Sequence, residues 1–206
     1  MKKIYITAIP LDSNFLLQPL LAQPVNYRMH VAPFAVCFPI TQVIADTAQE
    51  GDEVKVIAVR QKNNAQSKNL AAFRQELDAL GLSYTLTDLT MDETQQKDEL
   101  LGLFEALIRS MEGNACYYAC MTFGTKTYPL VLSSALHYAE KVLDTTQVKG
   151  IYYREITREN GAVKSVAQYD VSALFTLDSL IDLAAQNGIG DKAAFIGLLL
   201  HPDQGV

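Results

Sequence analysis

Short runs of Ile, Val, Tyr and Ala alternate along this chain with longer stretches of helical period, and that alternation restricts the fold more than any other feature. Residues 3–9 read as a buried first strand, ended by Pro10 and the polar Asp12, Ser13 and Asn14. Residues 39–50 carry Ile40, Val43, Ile44 and Thr47 at helical spacing and stop at Gly51, and residues 53–60 form a second Val/Ile strand. The rhythm repeats. A polar loop at 62–68 leads to a helix at 69–80 with a Gly81 stop and a third strand at 83–89. A long helix at 92–111 precedes a fourth strand at 114–121, and a helix at 127–143 precedes a fifth strand at 148–156. The apolar positions of that last helix, Leu130, Val131, Ala135, Tyr138 and Val142 with Ser134, share one face and predict its core side. Asn160-Gly161 is a hairpin signal that returns 162–169 antiparallel to the fifth strand. Helices at 171–186 and 191–200 complete the pattern. The expectation is an α/β, Rossmann-like, doubly wound and mainly parallel sheet with a C-terminal antiparallel hairpin edge and terminal helices. Residues 10–38, with Pro19, Pro24 and Pro33, predict a loop excursion containing a short ribbon.

The 206 residues suffice for one such domain, expected over 1–206 with a core at 1–170 and a helical segment at 171–206. Apolar residues make up 49% and charged residues 19%, a composition that excludes a disordered chain. No apolar run is long enough to span a membrane, and Lys2-Lys3 passes straight into Ile4 without a signal region, so a cytoplasmic location is expected and no membrane partner. The formal net charge of −6 argues against broad binding to duplex nucleic acid, while leaving room for a small anion in a local site. Cys37, Cys116 and Cys120 are an odd number of thiols in apolar settings, as in reduced core positions. Cys116 and Cys120 share a strand face and become metal ligands only if partners converge on them; no metal or cofactor is expected. His30, His137 and His201 lie far apart, and His137 reads as a boundary residue of its helix. No Walker loop, GxGxxG turn, GxSxG elbow or HExxH helix is present.

One segment carries chemistry. The fourth strand runs into Thr122, Phe123, Gly124, Thr125, Lys126 and Thr127, followed by a helix with Pro129 in its first turn. Free N–H groups at the helix start and the helix dipole favour a phosphate, Gly124 lets the backbone approach closely, and the threonines and Lys126 add hydroxyls and a cation. In an open α/β sheet this is also the ligand position, outside the carboxyl ends of the first and fourth strands, with Thr7, Ala8, Ile9 and Pro10 as the opposite wall. The same threonines would also serve as plain helix caps. Arg60 and Gln61, ending the second strand, are further candidates for base or ribose contacts, or a solvated strand end.

Thr122-Phe123-Gly124-Thr125-Lys126, followed by Pro129-Leu130-Val131-Leu132 and Ala135-Leu136-His137-Tyr138, resembles the T-x-G-T-K signature of CARF (CRISPR-associated Rossmann fold) domains. The residue-level match is confined to 118–138; the order of elements, through Tyr152-Tyr153, the hairpin and the segment from Val171 to Phe175, is similar over most of the chain. The resemblance implies a homodimer that holds a cyclic oligoadenylate, most simply cyclic tetra-adenylate, across its two-fold axis in type III CRISPR antiviral signalling. A ring of even symmetry presents the same units to both subunits of an isologous pair. Gly124, Thr125 and Lys126 would cradle phosphate, and Thr7, Ala8 and Ile9 would line the floor. The dimer interface would include the helix after Thr127 and the loop after the first strand, covering Tyr128 and Phe15.

The resemblance leaves two roles open, and the residues a third. The chain can be a sensor, free-standing or joined to a C-terminal effector domain absent from this chain. It can be a ring nuclease that cleaves its ligand without metal by 2′-OH attack, with Lys126 stabilising charge and Thr7 or Thr125 orienting the phosphate. Or it can be a Rossmann-like enzyme acting on a mononucleotide in a monomer-sized pocket.

Overall fold

In the computed structural model, residues 1–11 and 18–200 are described. They fall into two compact units, Met1–Asp170 and Val171–Val206. The first is built on a seven-stranded sheet. Strands β1 (Lys2–Ala8), β3 (Glu53–Gln61), β4 (Tyr84–Met91), β5 (Ala115–Cys120) and β6 (Gln147–Glu159) run parallel, and β7 (Ala162–Asp170) returns antiparallel to β6. The order is β2-β7-β6-β5-β1-β3-β4, where β2 is Gln23–Pro24. The chain thus adopts the doubly wound α/β architecture that its alternating pattern predicts, with β1 and β5 adjacent at the point where the winding reverses.

The hairpin is not the sheet's outer edge. Within the excursion, β2 pairs with β7, the Val25 N–H donates to the Gln168 carbonyl (3.1 Å), and Asn26 bonds both the carbonyl and the N–H of Asp170 (2.7 and 2.9 Å). Leu20 and Val36 form an antiparallel bridge, the remnant of the expected ribbon. Phe15, expected at a subunit interface, lies outside the described residues, as do Asp12, Ser13, Asn14 and His201.

Four helices connect the parallel strands: α1 (Pro39–Thr47), α2 (Asn64–Asp78), α3 (Lys97–Ser110) and α4 (Tyr128–Val142). Helices α1 and α2 bury Phe38, Ile40, Val43, Ile44, Leu70, Phe73 and Leu77 in one cluster with Tyr5, Val54, Val56 and Ala58 of the sheet. Each such side chain contributes about 1.5–3 kcal/mol on burial. Phe38 and Phe73 meet with ring centroids 4.7 Å apart, and Tyr5 stacks on Tyr118 at 5.0 Å. The start of α1 is closed from outside: the Glu76 carboxylate of α2 accepts the N–H groups of Cys37 (2.7 Å) and Phe38 (3.0 Å), a negative charge at a helix N-terminus. Period two sends the alternate residues Ile4, Ile6 and Ala8 to the opposite face, where α3 and α4 pack together.

Three boundaries differ from expectation for identifiable reasons. Helix α2 begins at Asn64, inside the expected 62–68 loop, because the Asn63 side chain caps it by accepting from the Gln66 N–H (2.8 Å). Helix α3 begins at Lys97 rather than at 92, placing Asp98 and Glu99 in its first turn. On α4 the buried residues are Tyr128, Leu132, Ala135, Leu136 and Ala139, whereas Leu130 and Val142 are 71% and 60% exposed. Of the stripe expected to be the core side, Ala135 is buried and Val131 and Tyr138 are half-buried, whereas Leu130, Ser134 and Val142 face outward; Tyr128, expected to be exposed, is buried.

The second unit contains α5 (Ser172–Gln186) and α6 (Lys192–Leu200), which pack against each other; Asp191 accepts the Ala194 N–H (2.9 Å) at the start of α6. Among the described residues no helix is long and apolar enough to cross a membrane.

The amino ends of the strands are held by ion pairs. Glu112 receives Lys2 and, at 2.7 Å, Lys55, and hydrogen bonds from these two ammonium groups hold its carboxyl at about 2. The Asp52 carboxylate is 7% exposed and meets Lys3 (2.7 Å) and the N-terminal amine (2.9 Å). Burial alone would raise its pKa, but Lys3, the amine and the Gln49 N–H overcome this and lower it from 3.8 to about 2. A depressed folded-state pKa contributes stability that is present above 3.8 and lost as the pH falls through about 2. Asp52→Asn should cost roughly 3 kcal/mol at neutral pH by orphaning buried Lys3. It should also flatten the loss of stability between those two pH values, read from urea unfolding at stepped pH.

Candidate functional site

The carboxyl ends of β1, β3, β5 and β6 converge where the winding reverses, and backbone register sets them level: Thr7 stands opposite Ala58 on one side and Cys120 on the other. Beyond β1, the Ile9 N–H donates to the Val59 carbonyl (2.8 Å). Two polar residues of α2 then secure the chain. Gln66 donates to the Ile9 carbonyl (2.6 Å) and accepts from the Gln61 N–H, and Asn69 donates to the Pro10 carbonyl (2.9 Å). Both side chains are buried, so these bonds satisfy carbonyls that no strand pairs.

Past β5, the Met121 N–H donates to the Tyr152 carbonyl (2.8 Å) and the Thr122 hydroxyl accepts the Arg154 N–H (2.9 Å), which extends the β5–β6 register into the turn. Phe123 points back to Phe38, their rings edge to face at 6.4 Å. At Gly124 the backbone reverses with φ +103°, and a Cβ there would meet the Ala8 Cβ at 3.0 Å and the Tyr128 ring at 3.1 Å. Only glycine combines that dihedral with that approach. The Thr125 and Thr127 hydroxyls lie 3.0 Å apart, and Thr127 donates to Gln95 (2.7 Å). Thr127 does not cap α4 through its side chain, contrary to the capping reading. Among the described residues no acceptor takes the N–H groups of Gly124, Thr125, Lys126 or Thr127, and Lys126 is exposed without an ion pair. Four free donors, a helix start and one free cation are thus presented together.

Two hollows flank this turn. A cleft of about 310 Å³ is lined by Pro10, Leu11, Thr122, Phe123, Gly124, Arg154 and Ile156. A narrow recess on the other side is bordered by Ala8, Ile9, Arg60, Gln61, Gly124 and Thr125. The expected wall and turn therefore do meet, with one correction. Thr7 is fully buried and its hydroxyl donates to the Ala8 carbonyl (3.2 Å), so it lies beneath the floor rather than on it. Arg60 is neither free nor solvated: its guanidinium grips Asp88 of β4 at 2.8 and 2.9 Å and also donates to Ser67 (3.3 Å). Gln61 contributes its backbone N–H to Gln66 and its side chain to the Glu93 carbonyl (3.5 Å).

The residues that the sequence reading passed over are Gln66, Asn69 and Arg154. The first two are an i, i+3 polar pair on the inner face of α2, a spacing that gains meaning only with the Ile9 and Pro10 carbonyls opposite. Arg154 occupies an inward position between exposed Tyr153 and Glu155, and it is 4% exposed. Burial lowers its pKa, and no carboxylate among the described residues lies within ion-pair distance of it. The thiols are structural in placement: Cys120 is buried, with its pKa pushed up by burial, and Cys116 lies 3.5 Å from the Met1 sulfur. His137 is partly buried on α4, and His30 is exposed beside Asp46 (3.6 Å). Among the described residues no group of three His, Cys, Asp or Glu side chains could hold a metal ion.

The sheet order, the reversal between β1 and β5 and the ligand-sized cleft at that point define an α/β protein of the doubly wound class. No protein-family model matches the chain, and no curated protein matches it. Among solved structures it is similar to phosphofructokinase-2 from Escherichia coli, crystallised in complex with fructose-6-phosphate. The identity is 15% and the TM-score 0.36, over 72% of this chain and 55% of that one, so the chain spans about half that enzyme's length.

Gly124→Ala should destabilise the first unit by roughly 1–3 kcal/mol, the range for a residue forced into a sparsely populated dihedral. Because Ala8 and Tyr128 are both packed, neither can yield cheaply. Chemical denaturation of the variant against the parent measures this.

Proposed function

We propose that this chain is a CARF-like sensor that binds a cyclic oligoadenylate across a homodimer, within type III CRISPR antiviral signalling. The observation that carries the reading is the turn from Thr122 to Thr127. Its four unbonded N–H groups and exposed Lys126 stand at the winding reversal, opposite Ile9 and Pro10. Such a cradle favours a phosphodiester by the helix dipole and by charge-assisted hydrogen bonds, without requiring a carboxylate or histidine. The sequence of the turn adds adenylate rings through its resemblance to the family signature.

The outward stripe of α4 supports the two-fold arrangement. Leu130 and Val142 are exposed with Ser134, and Val131 and Tyr138 are partly covered, on a helix whose first turn is the cradle itself. Two copies joined along this face would bring both cradles to one axis, where a ring of even symmetry meets identical groups. Turnover of the ring finds less support, since Thr7 is sealed away and only the turn remains to stabilise charge. A mononucleotide enzyme would bind one ligand per chain, whereas a ring across the axis binds one per two chains.

Calorimetry with cyclic tri-, tetra- and hexa-adenylate tests the reading and its stoichiometry; absence of binding by all three would end it. Lys126→Ala should weaken binding by roughly 1–3 kcal/mol per site, or about 5- to 150-fold, with the fold unchanged by circular dichroism. Equal affinity in the variant would remove the turn as the phosphate site. The salt dependence should be shallow beside that of a duplex-binding protein, since few charges contact the ring.

Leu130→Glu places a charge in the middle of the α4 stripe and should convert a dimer to a monomer. Light scattering with and without ligand reads it, and a parent protein that is monomeric in both states would contradict the two-fold arrangement.

A further inference from the structure

Buried guanidinium groups are ordinarily matched by a carboxylate or by acceptors for every donor. Arg154 has neither. Its side chain reaches from β6 into the interior, where Nη1 donates to the Val36 carbonyl (3.0 Å) and Nη2 is shared between Gln42 (3.5 Å) and Gln168 (3.3 Å). These acceptors are all neutral. The Nε–H is buried with no acceptor, and Arg154 forms part of the wall of the 310 Å³ cleft beside Pro10, Phe123 and Ile156. The acid whose charge reaches the guanidinium, Glu76, already has both oxygens committed to the Cys37 and Phe38 N–H groups.

We propose that this cleft is an anion subsite, adjoining the Gly124–Thr127 cradle through Gly124, in which the charge of the buried cation Arg154 holds a phosphoryl group of the ligand. Nε itself is sealed from the cleft, so what an anion placed there would meet is the charge that the protein leaves unmatched, strengthened by the low dielectric of the wall. The choice of a phosphoryl group over other anions rests on the proposed nucleotide reading; the need for an anion rests on Arg154 alone. One consequence is specific to this residue. The same guanidinium holds the Val36 carbonyl, and through Gln168 it reaches Tyr27 (3.1 Å), so an anion drawn to it is felt by the segment between β2 and α1.

The test uses the full chain labelled with ¹⁵N at arginine, whose six residues give few side-chain signals. The Arg154 Nε–Hε signal is assigned by its loss in Arg154→Gln or, if that variant does not fold, by elimination using Arg→Lys substitutions at the other five. Pyrophosphate and adenosine 5′-monophosphate are titrated at constant ionic strength, with adenosine as the uncharged control. A saturable shift of the Arg154 signal with both phosphates and none with adenosine is expected, and a folded Arg154→Gln should bind pyrophosphate about tenfold more weakly or worse. A signal that no phosphate moves, or that adenosine moves equally, overturns the subsite. Cyclic tetra-adenylate separates this proposal from the reading it builds on. Binding of the ring with the Arg154 signal unmoved discards the subsite and keeps the sensor. Failure of the ring to bind while pyrophosphate shifts Arg154 keeps the subsite and discards the sensor.

Discussion

Strand β1 has no face on water. Every residue from Lys3 to Pro10 is buried, with β3 hydrogen-bonded along one side, β5 along the other and helices over both faces. A strand so enclosed must be apolar on consecutive positions, as its sequence is, and it cannot shift register without burying Lys2 or exposing Ile9. That register is what levels the ends of β1, β3 and β5. The turn after β5 then lies against Ala8 at a distance that only glycine permits, which brings its unbonded backbone donors to the end of the sheet where β1 stops. The site is a by-product of how the central strand is packed.

The parallel strands were legible in the residues because buried strands are written in continuous Ile, Val and Tyr, and the signal is redundant over several positions. The geometry of the turn from Thr122 to Thr127 was legible too, since a strand running into Gly124 and a proline-started helix is a local pattern. What escaped was decided by partners distant in sequence. The outward face of α4 has the same period and nearly the same apolar content as its inward face, so the pattern of Leu130, Tyr138 and Val142 could not say which side meets the sheet. Arg60 read as a strand end because its partner, Asp88, lies 28 residues away on another strand. The start of α2 was hidden by Gln66 and Asn69, polar residues facing inward, which make sense only once the unpaired carbonyls of Ile9 and Pro10 are known to lie opposite them.

Charge is unevenly resolved along the strand direction. At the amino ends, Lys2, Lys3 and Lys55 are matched by Asp52, Glu53 and Glu112 in a closed set of ion pairs. At the carboxyl ends, Arg60 is matched by Asp88, while Lys126 and Arg154 have no acid. Two unmatched positive charges thus stand at the carboxyl end of the sheet in an acidic chain, and the attraction they offer an anion is short in range. That arrangement suits a ligand recognised at a few points rather than a polymer held along its length.

The outermost strand on the hairpin side, β2, is two residues long and one of them is Pro24. Proline has no N–H to offer a further strand, and two residues are too few to template one. Growth of the sheet from this margin is therefore blocked in the native chain, and self-assembly there cannot proceed by backbone pairing in the manner of amyloid. Replacement of Pro24 by a β-branched residue would remove the stop and leave an exposed margin flanked by Leu21 and Val25, both about half exposed, as a new adhesive edge.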